Sequence, residues 1–273
     1  MPQNSINTNV AAFVALQNLN IINTRLDITQ NRVSTGLKVN SAVEDASNFS
    51  IAQGIRGTLK SYEAVTAGIA NARGVATVAL AGATAISDLM ADIQKKITES
   101  QNAGNSSSQQ AILNNDFTNL VTQINTFITN SAYNGRNLLS AASTSLNVIA
   151  NVDGTTLTIR SNSALKATAI DVGSQNVSST VTATQALSAL FLAQASISTV
   201  LGNLGADIRT ITAQDTFISK LSDAVAEGLG SLVDADLAKE SSRLQALQVQ
   251  QQLSVQTLNI ANQRPNTLLS LFR

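Results

Sequence analysis

The chain has 273 residues, with 17 basic and 17 acidic side chains and no Cys, His or Trp. Those absences exclude a disulfide framework and a thiolate zinc site, and they remove the commonest general base and transition-metal ligand. Zero net charge, spread without basic blocks, speaks against a reader of phosphate backbones, so no nucleic-acid partner is expected.

Ser, Thr, Asn and Gln supply 104 residues, yet 44% of the chain is apolar and recurs at ordered spacings, which points to a folded chain rather than a disordered one. Between Pro2 and Pro265 there is no proline, so long helices are the default expectation. Ile6, Val10, Phe13, Leu16, Leu19, Ile22 and Leu26 step by three and four, which predicts a first helix that breaks at Ser34-Thr35-Gly36. Ser41 and Glu44 have capping-box spacing, so a second helix is expected from there to about Ser100. Its core candidates are Ile55, Leu59, Tyr62, Ile69, Ile86, Leu89, Ile93 and Ile97. Gly54, Gly57, Gly68, Gly74 and Gly82 each weaken an isolated helix by up to ~1 kcal/mol, so this one needs neighbours. Lys95-Lys96 reads as a solvated face.

Gly104-Asn105-Ser106 marks a turn, and Ser107 with Gln110 a capping box for a third helix with Leu113, Phe117, Leu120, Ile124 and Phe127 as its seam. Asn134-Gly135 ends it. Val148, Ala150 and Val152 before Asp153-Gly154, with Leu157 and Ile159 after, predict a β-hairpin, and Ile170 with Val172 a further short strand. From Leu187 the steps are the most regular of the chain: Leu187, Leu190, Gln194, Ile197, Leu201, Leu204, Ile208 and Ile211. Gly228 and Gly230 mark a joint, and Ser231 with Asp234 a cap. A last helix carrying Leu237, Leu244, Leu247 and Leu258 is expected to stop near Gln263, before Pro265.

Residues 1 to 24 and 244 to 263 carry no charged side chain at all. The first stretch lacks the basic flank of a signal peptide, and Asn and Gln interrupt its apolar residues, so no cleaved signal is expected. The uncharged stretch 172 to 206 is broken by Ser, Thr, Gln and Asn, so membrane insertion is not expected either. Terminal helices with an apolar stripe and an amide-rich opposite face suit burial against many neighbours, because neutral amides pair without the desolvation cost of charge. A polymer is favoured over a monomer.

The two ends carry recognisable wording. Ser5-Ile6-Asn7-Thr8-Asn9, Arg32-Val33-Ser34-Thr35-Gly36-Leu37-Lys38-Val39-Asn40-Ser41-Ala42, Glu44-Asp45-Ala46 and Ile51-Ala52 resemble the amino-terminal core of bacterial flagellins. Leu232-Val233-Asp234-Ala235-Asp236-Leu237-Ala238-Lys239-Glu240, Gln250-Gln251-Gln252-Leu253, Ile260-Ala261-Asn262-Gln263 and Leu268-Leu269-Ser270-Leu271-Phe272-Arg273 resemble the carboxy-terminal core. The set looks most like the short alphaproteobacterial type.

The resemblance implies a filament subunit with a mainly α fold: long antiparallel coiled-coil helices, paired terminal helices and a small β-hairpin region in the middle. It implies an amino-terminal inner-core helix and spoke over 1–40 and outer-core helices over 41–134. A short β or variable region over 135–184, an outer-core return helix over 185–230 and a carboxy-terminal inner-core helix over 231–273 follow. Inner-core assembly contacts are expected at Ile6, Val10, Phe13, Leu16, Leu19, Leu258, Leu269 and Phe272, and an outer-core seam at Leu187, Leu190, Ile197, Leu201, Leu204 and Ile208. The implied partners are copies of the chain and sister flagellins, filament cap and hook-associated proteins, and the flagellar type III export apparatus with its chaperone. The implied location is extracellular, in the flagellar filament, reached without a cleaved signal peptide.

No catalytic, cofactor or metal site is expected, and with no His the chain lacks the His-Glu-x-x-His insert of peptidase-bearing flagellins. Asp234, Asp236 and Glu240 read as capping and surface residues rather than a calcium loop. Two alternatives share the termini: a flagellin-like hook–filament junction protein and a flagellin-like cell-surface polysaccharide receptor. The second would need a sugar platform, and the middle region offers only Tyr133.

Overall fold

The computed structural model describes residues 8 to 270, without the side chains of 164, 166 to 168, 170 and 264 to 270. In chain order the elements are α1 (Val10–Thr35), α2 (Ala46–Ser100), α3 (Ser107–Asn130), β1 (Ala132–Tyr133), β2 (Arg136–Asn137), β3 (Leu146–Ile149), β4 (Thr156–Ile159), α4 (Ala164–Gly173), α5 (Thr180–Val233) and α6 (Leu237–Ser270). They form two compact units. One comprises Met1–Gly57 with Ala224–Arg273, the other Thr58–Asp223.

In the second unit α2 and α5 run antiparallel, tied by Gln194 Nε2 donating to Gln94 Oε1 at 3.1 Å and by Arg73 3.5 Å from Asp215. The buried line of α2 is Tyr62, Val65, Ile69, Ala72, Ala76, Ala79, Ala83, Ile86, Met90, Ile93 and Ile97, a strict alternation of three and four. α3 buries Phe117, Val121, Ile124 and Ile128, and at its start Gln110 Nε2 donates to Ser100 O at the end of α2 at 2.7 Å. Lys96 joins the two helices, 3.0 Å from Asp116 and 3.4 Å from Glu99, so it is not the free solvated residue expected. The Asp116 hydrogen bond raises its pKa.

Two hairpins lie beside glycines of α2, β3 near Gly68 through Val148 and β1 near Gly74 through Tyr133. Asn134 (φ 49°) and Gly135 (φ 73°) form the two-residue turn between β1 and β2, with Tyr133 paired to Arg136. Both central residues need positive φ, the property for which Asn-Gly is selected. The Asn-Gly expected to stop a helix is therefore the tight hairpin. The Asp-Gly hairpin also exists, β3 pairing β4 with Val148 opposite Leu157, but its turn is the wider 151–154 loop closed by Gly154 N–H to Asn151 O at 3.1 Å. A Cβ on Gly74 would lie 2.9 Å from the Tyr133 ring, and one on Gly82 would strike Ser131. Gly74 and Gly82 are thus what let Tyr133 of β1 and Ser131 just before it approach α2 so closely.

Several boundaries move. Asp45, not Ser41, caps α2: its carboxylate accepts the Asn48 N–H at 3.0 Å and the Asn48 amide at 2.6 Å. Glu44 reaches back instead to the Asn40 N–H at 2.9 Å. The α3 capping box is Ser106 with Gln109, one residue earlier than expected. Ile170 and Val172 fall in α4, a helix whose Leu165, Ala169 and Val172 are buried at helical spacing. α5 starts at Thr180 and runs through Gly228 and Gly230 without a joint. α6 runs through Pro265 rather than stopping before it.

α2 and α5 are each long and apolar enough, by length and composition, to cross a membrane. Within the second unit, Ile69, Ile86, Ile93 and Ile97 of α2 and Leu190, Ile197 and Leu204 of α5 are buried.

Candidate self-assembly surface

In the first unit α1 and α6 pair antiparallel: Asn9 Nδ2 donates to Ala261 O at 2.7 Å, Gln251 Nε2 to Asn23 Oδ1 at 2.7 Å, and Arg32 lies 3.7 Å from Glu240. The seam of α1 is Ala12, Ala15, Leu19, Ile22, Leu26, Thr29 and Val33. That of α6 is Glu240, Leu244, Leu247, Gln251, Ser254, Leu258 and Ala261. Both alternate three and four, as coiled-coil partners do.

One end of the pair is closed by backbone. Gly36, at φ 73°, ends α1 and donates to Arg32 O at 2.9 Å; few residues other than glycine take this conformation without strain. Leu37 then bridges Asp234, Lys38 N–H reaches Val233 O at 2.7 Å and Ala235 N–H reaches Gly36 O at 2.8 Å. Asp236 caps α6 by accepting the Lys239 N–H at 3.1 Å. Glu240 sits buried beside Arg32 and, at 3.8 Å, Arg243. Asp236 is thus a cap and Asp234 an exposed residue, as expected, whereas Glu240 is a buried ion-pair partner rather than a surface residue.

Each helix also carries a second line in the same rhythm. On α1 it is Val10, Val14, Gln17, Ile21, Thr24 and Ile28; on α6 it is Ala246, Val249, Leu253, Gln256 and Ile260. All eleven are exposed. Phe13, 64% exposed, and Leu16 add to the outer surface of α1. So contiguous an exposed apolar surface marks an interaction site.

The expected inner-core residues divide between these surfaces. Val10, Phe13 and Leu16 are exposed, while Leu19 and Leu258 lie half-buried in the seam. Ile6 and Phe272 lie outside the described residues, as does the side chain of Leu269. What reads as one stripe is two faces, because successive steps of three, from Val10 through Phe13, Leu16 and Leu19, leave Ile22 about 120° round a helix of 3.6 residues per turn. The second line on α6 is not among the expected contacts, although the four-residue step from Val249 to Leu253 and the seven from there to Ile260 signal it.

The expected outer-core seam residues divide as well. Leu190, Ile197 and Leu204 are buried, but Leu187, Leu201 and Ile208 are only half-buried. The alternate positions belong to Ala186, Ala193, Val200 and Asp207, one residue earlier. At the level fixed by the Gln194–Gln94 contact, α2 supplies Met90, Ile93 and Ile97, and small alanines on α5 leave them room. Asp207 is tolerated there because Arg160, at the end of β4, wraps it: Nη2 at 2.8 Å, Nε at 3.1 Å and the backbone N–H at 3.0 Å all donate to its carboxylate.

Comparison with known proteins agrees with this layout. A family model described as the bacterial flagellin N-terminal helical region matches residues 6–144, and one described as the bacterial flagellin C-terminal helical region matches residues 187–272. The chain belongs to the bacterial flagellin family. Among its flagellin relatives, Flagellin FljO of Caulobacter vibrioides is 36% identical, with 100% of both chains covered. The flagellin of Brucella melitensis is 38% identical over 98% of this chain and 99% of its own. Flagellin C of Rhizobium meliloti is 29% identical at the same coverage. This flagellin is a structural subunit of the bacterial flagellar filament, an extracellular helical polymer that serves motility.

Proposed function

We propose that this flagellin polymerises by burying the second apolar line of each terminal helix against the terminal helices of neighbouring copies. The observation that carries the reading is the pair of exposed four–three lines, Val10 to Ile28 on α1 and Ala246 to Ile260 on α6, which the seam between those helices leaves uncovered. A heterologous interface that does not close on itself produces an open filament. Val10, Phe13 and Leu16 then act between subunits, with Ile6, Leu269 and Phe272 as further assembly contacts, whereas Leu19 and Leu258 hold the pair together within one subunit.

On this reading residues 1–40 and 231–273 build the inner core, 41–134 and 185–230 the outer core around the seam from Leu187 to Ile208, and 135–184 the short region between. The subunit leaves the cell through the flagellar type III apparatus with an export chaperone and without a cleaved signal. It adds beneath a filament cap on a base of hook-associated proteins, alone or with sister flagellins, and it performs no catalysis and inserts into no membrane. The charge-free stretches 1–24 and 244–263 and the exposed apolar lines of the terminal helices support this scheme.

The test is electron microscopy of purified chain after adding filament seeds, beside a version lacking residues 1 to 24. Long tubes from the full chain and none from the truncation are expected. Short caps or monomers from the full chain would overturn the reading.

A further inference from the structure

We infer that Pro265 and Asn9 form a latch at the open end of the α1–α6 pair, in which the proline reserves one backbone carbonyl for the asparagine. Inside a helix each carbonyl normally accepts from the N–H four residues on, and proline has no N–H to give. α6 continues through Pro265 to Ser270, so the carbonyl of Ala261 has no N–H four residues on to accept from. Asn9 Nδ2 donates to that oxygen at 2.7 Å, while Asn9 Oδ1 accepts the Ala12 N–H at 3.1 Å and caps α1. One side-chain amide thus starts the first helix and repairs the gap that the proline leaves in the last. Any other residue at 265 would bring an N–H to Ala261 O, and Asn9 would then share that oxygen instead of being its principal donor. The opposite end of the pair is already closed by the backbone bonds around Gly36 and Ala235, about 26 residues of helix away, roughly 39 Å at 1.5 Å per residue. The latch pins the far end of the pair.

The inference rests on the reading that this helix pair builds the filament, and it makes an unusual demand: replacing the proline by the best helix former should loosen the pair. The chain has no cysteine, so engineered pairs report cleanly. The latch level places Ala12 opposite Leu258, and the middle of the pair places Leu26 opposite Leu247. Ala12→Cys with Leu258→Cys serves as the distal reporter and Leu26→Cys with Leu247→Cys as the proximal control; disulfide formation needs Cα atoms within about 7 Å. Each pair is placed in otherwise native chains, in Asn9→Asp chains and in Pro265→Ala chains. Asn9→Asp keeps the cap but removes the donor. Oxidation rates are read with these chains as a minority in seed-grown filaments of unsubstituted subunits, and also in the soluble chain.

The latch predicts at least a fivefold slower distal cross-link in both variants with the proximal rate unchanged. Exclusion of the Pro265→Ala chain from such filaments, despite its gain in helix propensity, would support it equally. A distal cross-link in Pro265→Ala as fast as in the parent would overturn the latch. Failure of unsubstituted subunits to extend seeds would instead overturn the filament reading, and the latch would then be judged by the same distal rates in the soluble chain.

Discussion

The clasp between Arg160 and Asp207 sets up a test with an order as well as a size. Asp207 occupies a seam position of α5 with its side chain 10% exposed, while the Arg160 side chain is 49% exposed. Arg160→Ala strips the Nε and Nη2 hydrogen bonds from a buried carboxylate and leaves it only the backbone N–H of residue 160. Breaking a buried pair in this way costs about 3–5 kcal/mol, and the surviving amide bond places this case near the lower figure. Asp207→Ala leaves an arginine that water can reach, plus one amide without its acceptor, a loss of roughly 1–2 kcal/mol. The arginine should therefore matter about twice as much as the aspartate, and a double-mutant cycle should return a coupling of about 1–2 kcal/mol. Urea unfolding of the monomer followed by far-UV circular dichroism measures all three variants. An Asp207→Ala cost above that of Arg160→Ala, or both below about 0.5 kcal/mol, would refute the account of the seam.

The contacts of α2 and α5 carry two further predictions. Gly82→Ala should destabilise the monomer by about 1–3 kcal/mol, because the new methyl meets Ser131, a buried residue whose hydroxyl is held by Phe127 O; Gly202→Ala, with open space around it, should stabilise by up to ~1 kcal/mol in the same unfolding assay. The Asp45 carboxyl is held below its ordinary value of 3.8 chiefly by the Asn48 backbone N–H and then by the Asn48 side chain. A depressed carboxyl pKa contributes stability above the unfolded value and loses it as pH falls through the folded one. The first turn of α2 should therefore loosen below about pH 3.8, and Asp45→Asn should remove that pH dependence, as read by backbone NMR shifts of residues 46 to 49.

The four–three rhythm is legible throughout the sequence; its phase is not always. Leu190, Ile197 and Leu204 stand out because they are both large and central. Ala186 and Ala193 lose to Leu187 and Gln194, since size suggests burial when only one helix is in view. Which neighbour points inward depends on the opposing helix, and α2 fills the space from its own side. The same blindness hides Ala72, Ala76, Ala79 and Ala83, the stretch of α2 that is smallest where the hairpins approach. Local signals suffer from competition: Ser41, Asp45, Ser106 and Ser107 are all capping residue types, and packing, not propensity, chooses among them. Pro265 misleads because its usual consequence, the end of a helix, assumes that nothing compensates for the lost bond. Asn9, 256 residues earlier in the chain, does so. The division of the first stripe into a seam and an outer line follows from arithmetic on the sequence, and the assignment of each line to its partner needs α6.

The most direct test of the central claim replaces one residue on each uncovered line, Ile21→Glu on α1 and Leu253→Glu on α6, in otherwise complete chains. Both side chains are exposed in the single subunit, so circular dichroism and thermal unfolding of the monomer should match the parent. Seeded elongation, followed by light scattering and electron microscopy, should stop in either variant, because a carboxylate would be buried at every repeat of the interface. Parental elongation rates in both variants would show that these lines face solvent in the filament and would contradict the account.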